Sequence, residues 1–134
     1  MEIVKTADVL IVEDSEDVLW ILGNVLENAG FTIDAATTGE EAIERMRECP
    51  EIKLIILDYL LPDMNGLTVL KRLRENGSQV KVIVTSTLKI IRESLLEAGV
   101  FAFLGKPFDL KEFIGLCKQA LNRENAEPGI ASES

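Results

Sequence analysis

Residues 54–66 read LIILDYLLPDMNG. Four apolar residues in succession, two of them β-branched, make a short buried strand. The run ends on an acid, Asp58, and more apolar chain follows before Pro62 and Gly66 break it. Taken alone, Asp58 reads equally well as a turn residue ahead of the proline or as a ligand-facing group at the carboxyl end of a parallel strand. The chain on either side of it decides between the two.

Working outward, apolar runs of two kinds alternate. Strand-like runs cover DVLIVE (8–13), FTIDAA (31–36), KLIILD (53–58), VKVIVTS (80–86) and VFAFLG (100–105). Between and after them lie segments with helical period at 15–30, 38–49, 66–76, 88–99 and 109–123. Ser15 and Asp109 are natural caps, and Gly30, Gly77 and Gly99 are natural stops. On the first helix the period predicts an inward stripe of Val18, Ile21, Leu22 and Val25, with Leu19 and Trp20 facing outward or sideways. On the fourth, Ile90 falls off a stripe of Ile91, Leu95 and Ala98. A strand–helix unit repeated five times predicts an α/β fold of the flavodoxin-like (βα)5 kind, doubly wound, with one five-stranded parallel sheet covered by helices on both faces. Strand order is not readable from alternation. Residues 1–123 form one domain, and 124–134 (ENAEPGIASES) read as a mobile tail or linker.

Composition narrows the function. The 134 residues are 47% hydrophobic and 28% charged, a globular balance. A formal net charge of −9 opposes direct nucleic-acid binding. The chain has no histidine, so Ser-His-Asp chemistry and Cys/His zinc sites are excluded. Cys49 and Cys117 form no motif and read as reduced thiols, one at a helix end and one facing the core. No apolar run is long enough to span a membrane, and the acidic N-terminus is no signal peptide, so a cytoplasmic location is the expectation.

If the sheet is parallel, Glu13-Asp14, Asp58, Thr85-Ser86 and Lys106-Pro107 all gather at one edge. Three carboxylates together repel and raise one another's pKa unless a cation separates them. A hard divalent ion with oxygen ligands suits them, and Mg2+ is commonly held by one or two carboxylates plus phosphate oxygens. An ammonium and a hydroxyl beside such an ion make a site for phosphoryl transfer, in which a carboxylate can be the nucleophile.

These residues, in order, resemble the receiver domain of bacterial two-component response regulators, of the chemotaxis-regulator kind. The resemblance rests on Glu13-Asp14, on LDYLLPDMNG with Asp58, Pro62 and Gly66, on Thr85, and on GKPF with Lys106 and Pro107, and it runs from about Val9 to Leu121. It implies that Asp58 accepts a phosphoryl group from a sensor histidine kinase or a histidine phosphotransfer protein. It implies that Asp14, Glu13, Asp58 and the Leu60 backbone carbonyl hold Mg2+. Lys106 and Thr85 would stabilise the phosphoryl group, Thr85 and Phe103 would switch together, and Pro107 would follow a cis bond. Phosphorylation would then alter the surface of the fourth helix, fifth strand and fifth helix, which also offers a homodimer contact. Leu19 and Trp20 would take part in partner docking. Such a protein is a signalling switch and not an enzyme in its own right.

Three features depart from the usual pattern. Glu13 stands where Asp is common, the stretch from Thr85 to Gly99 is one residue short, and Leu60 and Thr87 occupy positions that gate the attacking water. An apolar Leu60 predicts a long-lived phosphoryl state. The main rival is a receiver-like binding module that works without phosphorylation, and the complete acidic set with Thr85 and Lys106 argues against it. A flavin protein would want a Ser/Thr/Gly-rich phosphate loop where EDSED stands, and an aspartate-nucleophile hydrolase a second acid close behind Asp58. The kinase, the signal and the output are not encoded in these residues, nor is the choice between a stand-alone regulator and a module of a longer protein.

Overall fold

A computed structural model of the chain describes residues 7–123. Five strands, β1 (Val9–Val12), β2 (Ile33–Ala36), β3 (Leu54–Asp58), β4 (Lys81–Ser86) and β5 (Ala102–Gly105), form one sheet in the order β2-β1-β3-β4-β5. Every pairing is parallel. The helices are α1 (Glu16–Asn28), α2 (Gly39–Glu48), α3 (Gly66–Glu75), α4 (Arg92–Glu97) and α5 (Leu110–Ala120). The chain leaves β1 toward β2, then crosses back over β1 to β3. That reversal puts the topological switch point between the carboxyl ends of β1 and β3. Residues 124–134, read above as a tail or linker, lie outside the described residues, as do residues 1–6.

The sheet is buried on both faces because its strands are apolar at consecutive positions. Odd and even residues part company. Leu10, Val12, Ile55, Leu57, Val82 and Val84 pack with α2 and α3 through Ile43, Met46, Leu70 and Leu73. Val9, Ile11, Leu54, Ile56 and Ile83 pack with α1 and α5 through Leu22, Leu26, Phe113 and Cys117. Each large side chain fully buried this way contributes roughly 1.5–3 kcal/mol. The helices begin where a side chain accepts an orphan N–H. Ser15 accepts from Val18, Thr38 from Glu41, Asn65 from Thr68 and Asp109 from Lys111. Gly30 and Gly77 end α1 and α3 with φ of +97° and +88°, a region open to glycine and costly for other residues.

Two expectations about helix faces need correction. Ile21 was expected inward and is 44% exposed. The buried line of α1 runs through Leu22, Gly23 and Leu26, and Leu19 is partly buried beside it. Apolar residues cover so much of α1 that their period leaves its rotation open. Gly23 resolves it: a Cβ there would stand 2.9 Å from Ile33 Cδ1, so the glycine faces β2. The helix expected over 88–99 is instead a 3-10 turn, Lys89–Ile91, followed by the six-residue α4. Leu88 offers no side-chain cap, and two adjacent β-branched isoleucines weaken a first helical turn. Ala98 is exposed, off the expected stripe, while Ile90 is 89% exposed as anticipated. Among the described residues no helix is long and apolar enough to cross a membrane.

Candidate functional site

Register brings the strand-end residues together. Asp58 is the last residue of β3 and lies opposite Thr85 of β4. Val12 of β1 lies opposite Leu57, so Glu13 arrives next to Asp58. Ser86 lies opposite Gly105, and the Lys106 N–H donates to the Ser86 carbonyl at 2.8 Å. The Tyr59 N–H donates to the Thr85 carbonyl at 2.9 Å. The sheet ladder therefore sets these positions before any side-chain contact is made.

The side chains form a compact charged cluster. Glu13, Asp58, Thr85 and Ser86 are buried polar residues, whereas Asp14 is exposed. Carboxylate oxygens of Glu13, Asp14 and Asp58 lie within 4.8 Å of one another. The Lys106 ammonium stands between two of these acids, 3.3 Å from Glu13 Oε1 and 3.5 Å from Asp58 Oδ1. The Ser15 N–H, at the start of α1, donates to Glu13 Oε2 at 3.0 Å. Burial, and next the negative charge of Glu13, push the Asp58 carboxyl up to about 6; Lys106 and the Leu60 N–H pull it partly back.

Three carboxylates against one ammonium leave two negative charges in a partly buried pocket. That imbalance, with an all-oxygen donor set, fits a hard divalent cation. Nitrogen or sulfur ligands are ruled out, because the chain lacks histidine and Cys49 and Cys117 lie at the end of α2 and inside α5. The Cys117 thiol is buried, and burial pushes its pKa up to about 12.

The other predicted residues are placed as follows. Leu60 follows Asp58 by two residues, is 54% exposed, and pairs with Asn65 in a short antiparallel bridge. Phe103 in β5 is partly buried against the α2–α3 core. The Lys106–Pro107 peptide bond is cis. Trp20 stands 70% exposed on α1, about a turn beyond the cluster, and Leu19 packs partly into the core. Two residues that sequence reasoning passed over also reach this edge. The Lys89 stem crosses Gly105, where a Cβ would lie 2.8 Å from Lys89 Cε. Asp63, in the loop after β3, accepts backbone N–H bonds from the start of α2. No local sequence signal links either pair, since each joins positions far apart in the chain.

Comparison with known proteins matches the same span. The family model described as response regulator receiver domain matches residues 9–118. The transcriptional regulatory protein PrrA of Mycobacterium leprae is 34% identical over 134 residues, covering 98% of this chain and 57% of that protein. CheY in the CheX–CheY–BeF3–Mg2+ complex from Borrelia burgdorferi is 31% identical, with a TM-score of 0.79 over 84% of this chain and 87% of that one. The beryllofluoride-activated NtrC4 receiver domain dimer is 30% identical, with a TM-score of 0.78 over 85% of this chain and 95% of that one. The chain spans about half the length of most of the curated relatives it matches.

Proposed function

Because the chain belongs to the response regulator receiver domain family, we propose that its strand-end cluster is a phosphoryl-accepting site with Asp58 as the acceptor. As a receiver domain it is a signalling module of two-component systems. The observation that carries the assignment is Lys106, whose ammonium is held between buried Glu13 and buried Asp58.

The cluster suits Mg2+, with Asp14, Glu13, Asp58 and the Leu60 carbonyl as its protein ligands; the Borrelia neighbour is described as a complex with BeF3 and Mg2+. When bound, Mg2+ supplies the positive charge that lets an anionic phosphoryl group approach an anionic carboxylate. The chain's own groups do the rest. An Asp58 carboxylate oxygen attacks phosphorus in line. The phosphorus–nitrogen bond of a phosphohistidine donor breaks, and its electron pair leaves on the imidazole. Lys106 balances charge on the phosphoryl oxygens, and the Thr85 hydroxyl donates to one of them. Phe103 follows Thr85, which biases the surface of α4, β5 and α5 between two states. The donor is a sensor histidine kinase or a phosphotransfer protein, and Trp20 on α1 contributes to its docking. The α4–β5–α5 surface supports a homodimer, in keeping with the dimeric NtrC4 neighbour. The role is a switch that assists its own phosphorylation rather than an enzyme, and it operates in the cytoplasm.

Acetyl phosphate with Mg2+ tests the assignment by intact mass. Wild type is expected to gain one phosphoryl group and Asp58→Asn none. Mg2+ binding without any mass gain would point instead to a receiver that works by contact alone.

A further inference from the structure

The loop between β3 and α3, residues 59–65, carries Leu60, and its shape is closed by its own backbone. The Gly66 N–H donates to the Tyr59 carbonyl at 2.7 Å and the Leu61 N–H to the Met64 carbonyl at 3.2 Å. Leu60 and Asn65 pair across it. The Tyr59 N–H bond to the Thr85 carbonyl ties the root of the loop to β4, and Tyr59, Leu61 and Met64 pack against the core.

The tip is fixed from outside. Asp63 Oδ1 accepts the Gly39 N–H at 2.8 Å, and Oδ2 accepts the Glu40 N–H at 2.9 Å. These are the first two orphan donors of α2, and Thr38 Oγ1 takes the third from Glu41 at 3.1 Å. A charged acceptor there also favours the positive end of the helix. Beside Asp63, Met64 lies on Gly39 so closely that a Cβ at that position would stand 2.5 Å from Met64 Cγ and 3.0 Å from Val69 Cγ2. Glycine at position 39 is thus what permits the loop to seat. Burial works upward on the Asp63 carboxyl, but the backbone N–H groups of Glu40 and Gly39 hold it below its usual range.

We propose that Asp63, seated against Gly39, is a positioning residue for the cation site: by clamping the loop tip to α2 it sets where Leu60 stands relative to Asp58. The inference rests on the reading of the acidic cluster as a Mg2+ site. Asp63 is not part of the Glu13, Asp14 and Asp58 cluster. Its effect passes along the loop backbone from Asp63 back to Leu60, within a loop closed on itself. Supporting groups of this kind typically change metal affinity when removed.

The test is Mg2+ titration by calorimetry on the whole chain, with thermal melts alongside. Asp63→Ala is expected to weaken Mg2+ binding about tenfold. Asp63→Asn keeps one acceptor oxygen and is expected to fall between. Gly39→Ala, which pushes Met64 off its seat, is expected to weaken binding in the same direction. Thr38→Ala removes a neighbouring cap from the same helix without touching the loop, so it should lower the melting temperature and leave Mg2+ affinity unchanged. Wild-type affinity in Asp63→Asn and Asp63→Ala would overturn the proposal, and so would an equal loss in Thr38→Ala, which would make helix stability the cause. If Asp63→Ala does not fold, Asp63→Asn carries the comparison. Failure of wild type itself to bind Mg2+ would overturn the cluster reading, and with it the proposal, and is distinguished by that single titration.

Discussion

Asp58 shows at the scale of one residue how the fold prepares a reactive group. It sits among Glu13, Asp14 and Lys106, and the single ammonium cannot balance the acids. Folding therefore raises its pKa from 3.8 to about 6, by burial first and then by repulsion from Glu13. A raised carboxyl pKa favours the folded state below the unfolded value and loses that benefit as pH rises through the folded value. In the metal-free protein this contribution is thus complete below about pH 4 and gone above about pH 6. A shift of this size amounts to about 3 kcal/mol undiluted, and to about 1–2 kcal/mol once water screens the site. Asp58→Asn should therefore be more stable than wild type by that amount at pH 7 in EDTA, and nearly equal to it at pH 4. Urea unfolding at the two pH values reads the difference, and Mg2+ should close the gap at pH 7 by stabilising wild type alone. A gap that is the same at both pH values would mean that Asp58 is not strained by its neighbours. The residues of this cluster were legible in the sequence, because a parallel sheet must deliver every strand end to one edge. Asp63 was not, because its partners Gly39 and Glu40 are a helix and a strand away and nothing local in PDMNG names them.

At the scale of elements, the alternation of runs located every strand and helix, and errors arose where a pattern was over-determined or under-capped. The first helix carries more apolar residues than one face can bury, so its rotation could not be read, and Ile21 ended outside while Leu19 tucked in. The fourth lacks a cap at Leu88 and begins as a 3-10 turn. Both outcomes leave apolar side chains on the surface. Trp20 and Ile21 are exposed on α1, and Leu88 and Ile90 are exposed ahead of α4. A large exposed indole close to the acidic cluster is suited to anchor a docking helix or loop. Trp20→Ala is expected to slow phosphoryl transfer from a histidine donor about five- to tenfold and to leave labelling by acetyl phosphate unchanged. Equal loss with both donors would assign Trp20 to the folding of α1 instead. The comparison separates docking from chemistry because the small donor makes no contact with the helix face.

At the scale of the whole molecule, strand order was the feature that sequence could not supply. The five parallel strands were evident from the βα alternation, but the order β2-β1-β3-β4-β5 emerges only from pairing. That order puts β1 in the interior of the sheet, so its first residues can be gripped from several sides. Asp8 is the focus. Its backbone carbonyl accepts from Lys53 and Leu54, its N–H donates to Thr32 Oγ1 at 2.9 Å, and its carboxylate takes the Arg123 guanidinium at 2.9 Å. Arg123 also lies over the Phe31 ring, 4.5 Å from its centroid. Arg123, just beyond the end of α5, is thereby tied to Asp8, which precedes the first strand. Burial works to raise the Asp8 carboxyl, but the Arg123 bond and the backbone of Thr32 prevail and hold it below its usual value. A depressed carboxyl pKa contributes stability above the unfolded value, here near 4, and loses it as pH falls through the folded value. Arg123→Ala should accordingly cost about 1–2 kcal/mol at pH 7, where both the charged bond and the ring contact are lost. The cost should be smaller at pH 3 than at pH 7, because Asp8 is protonated more readily in the unfolded chain. Urea unfolding of the pair at both pH values measures it. A cost that does not change with pH would show that Arg123 holds the two ends together through the Phe31 ring and the Gly30 carbonyl rather than by its bond to Asp8.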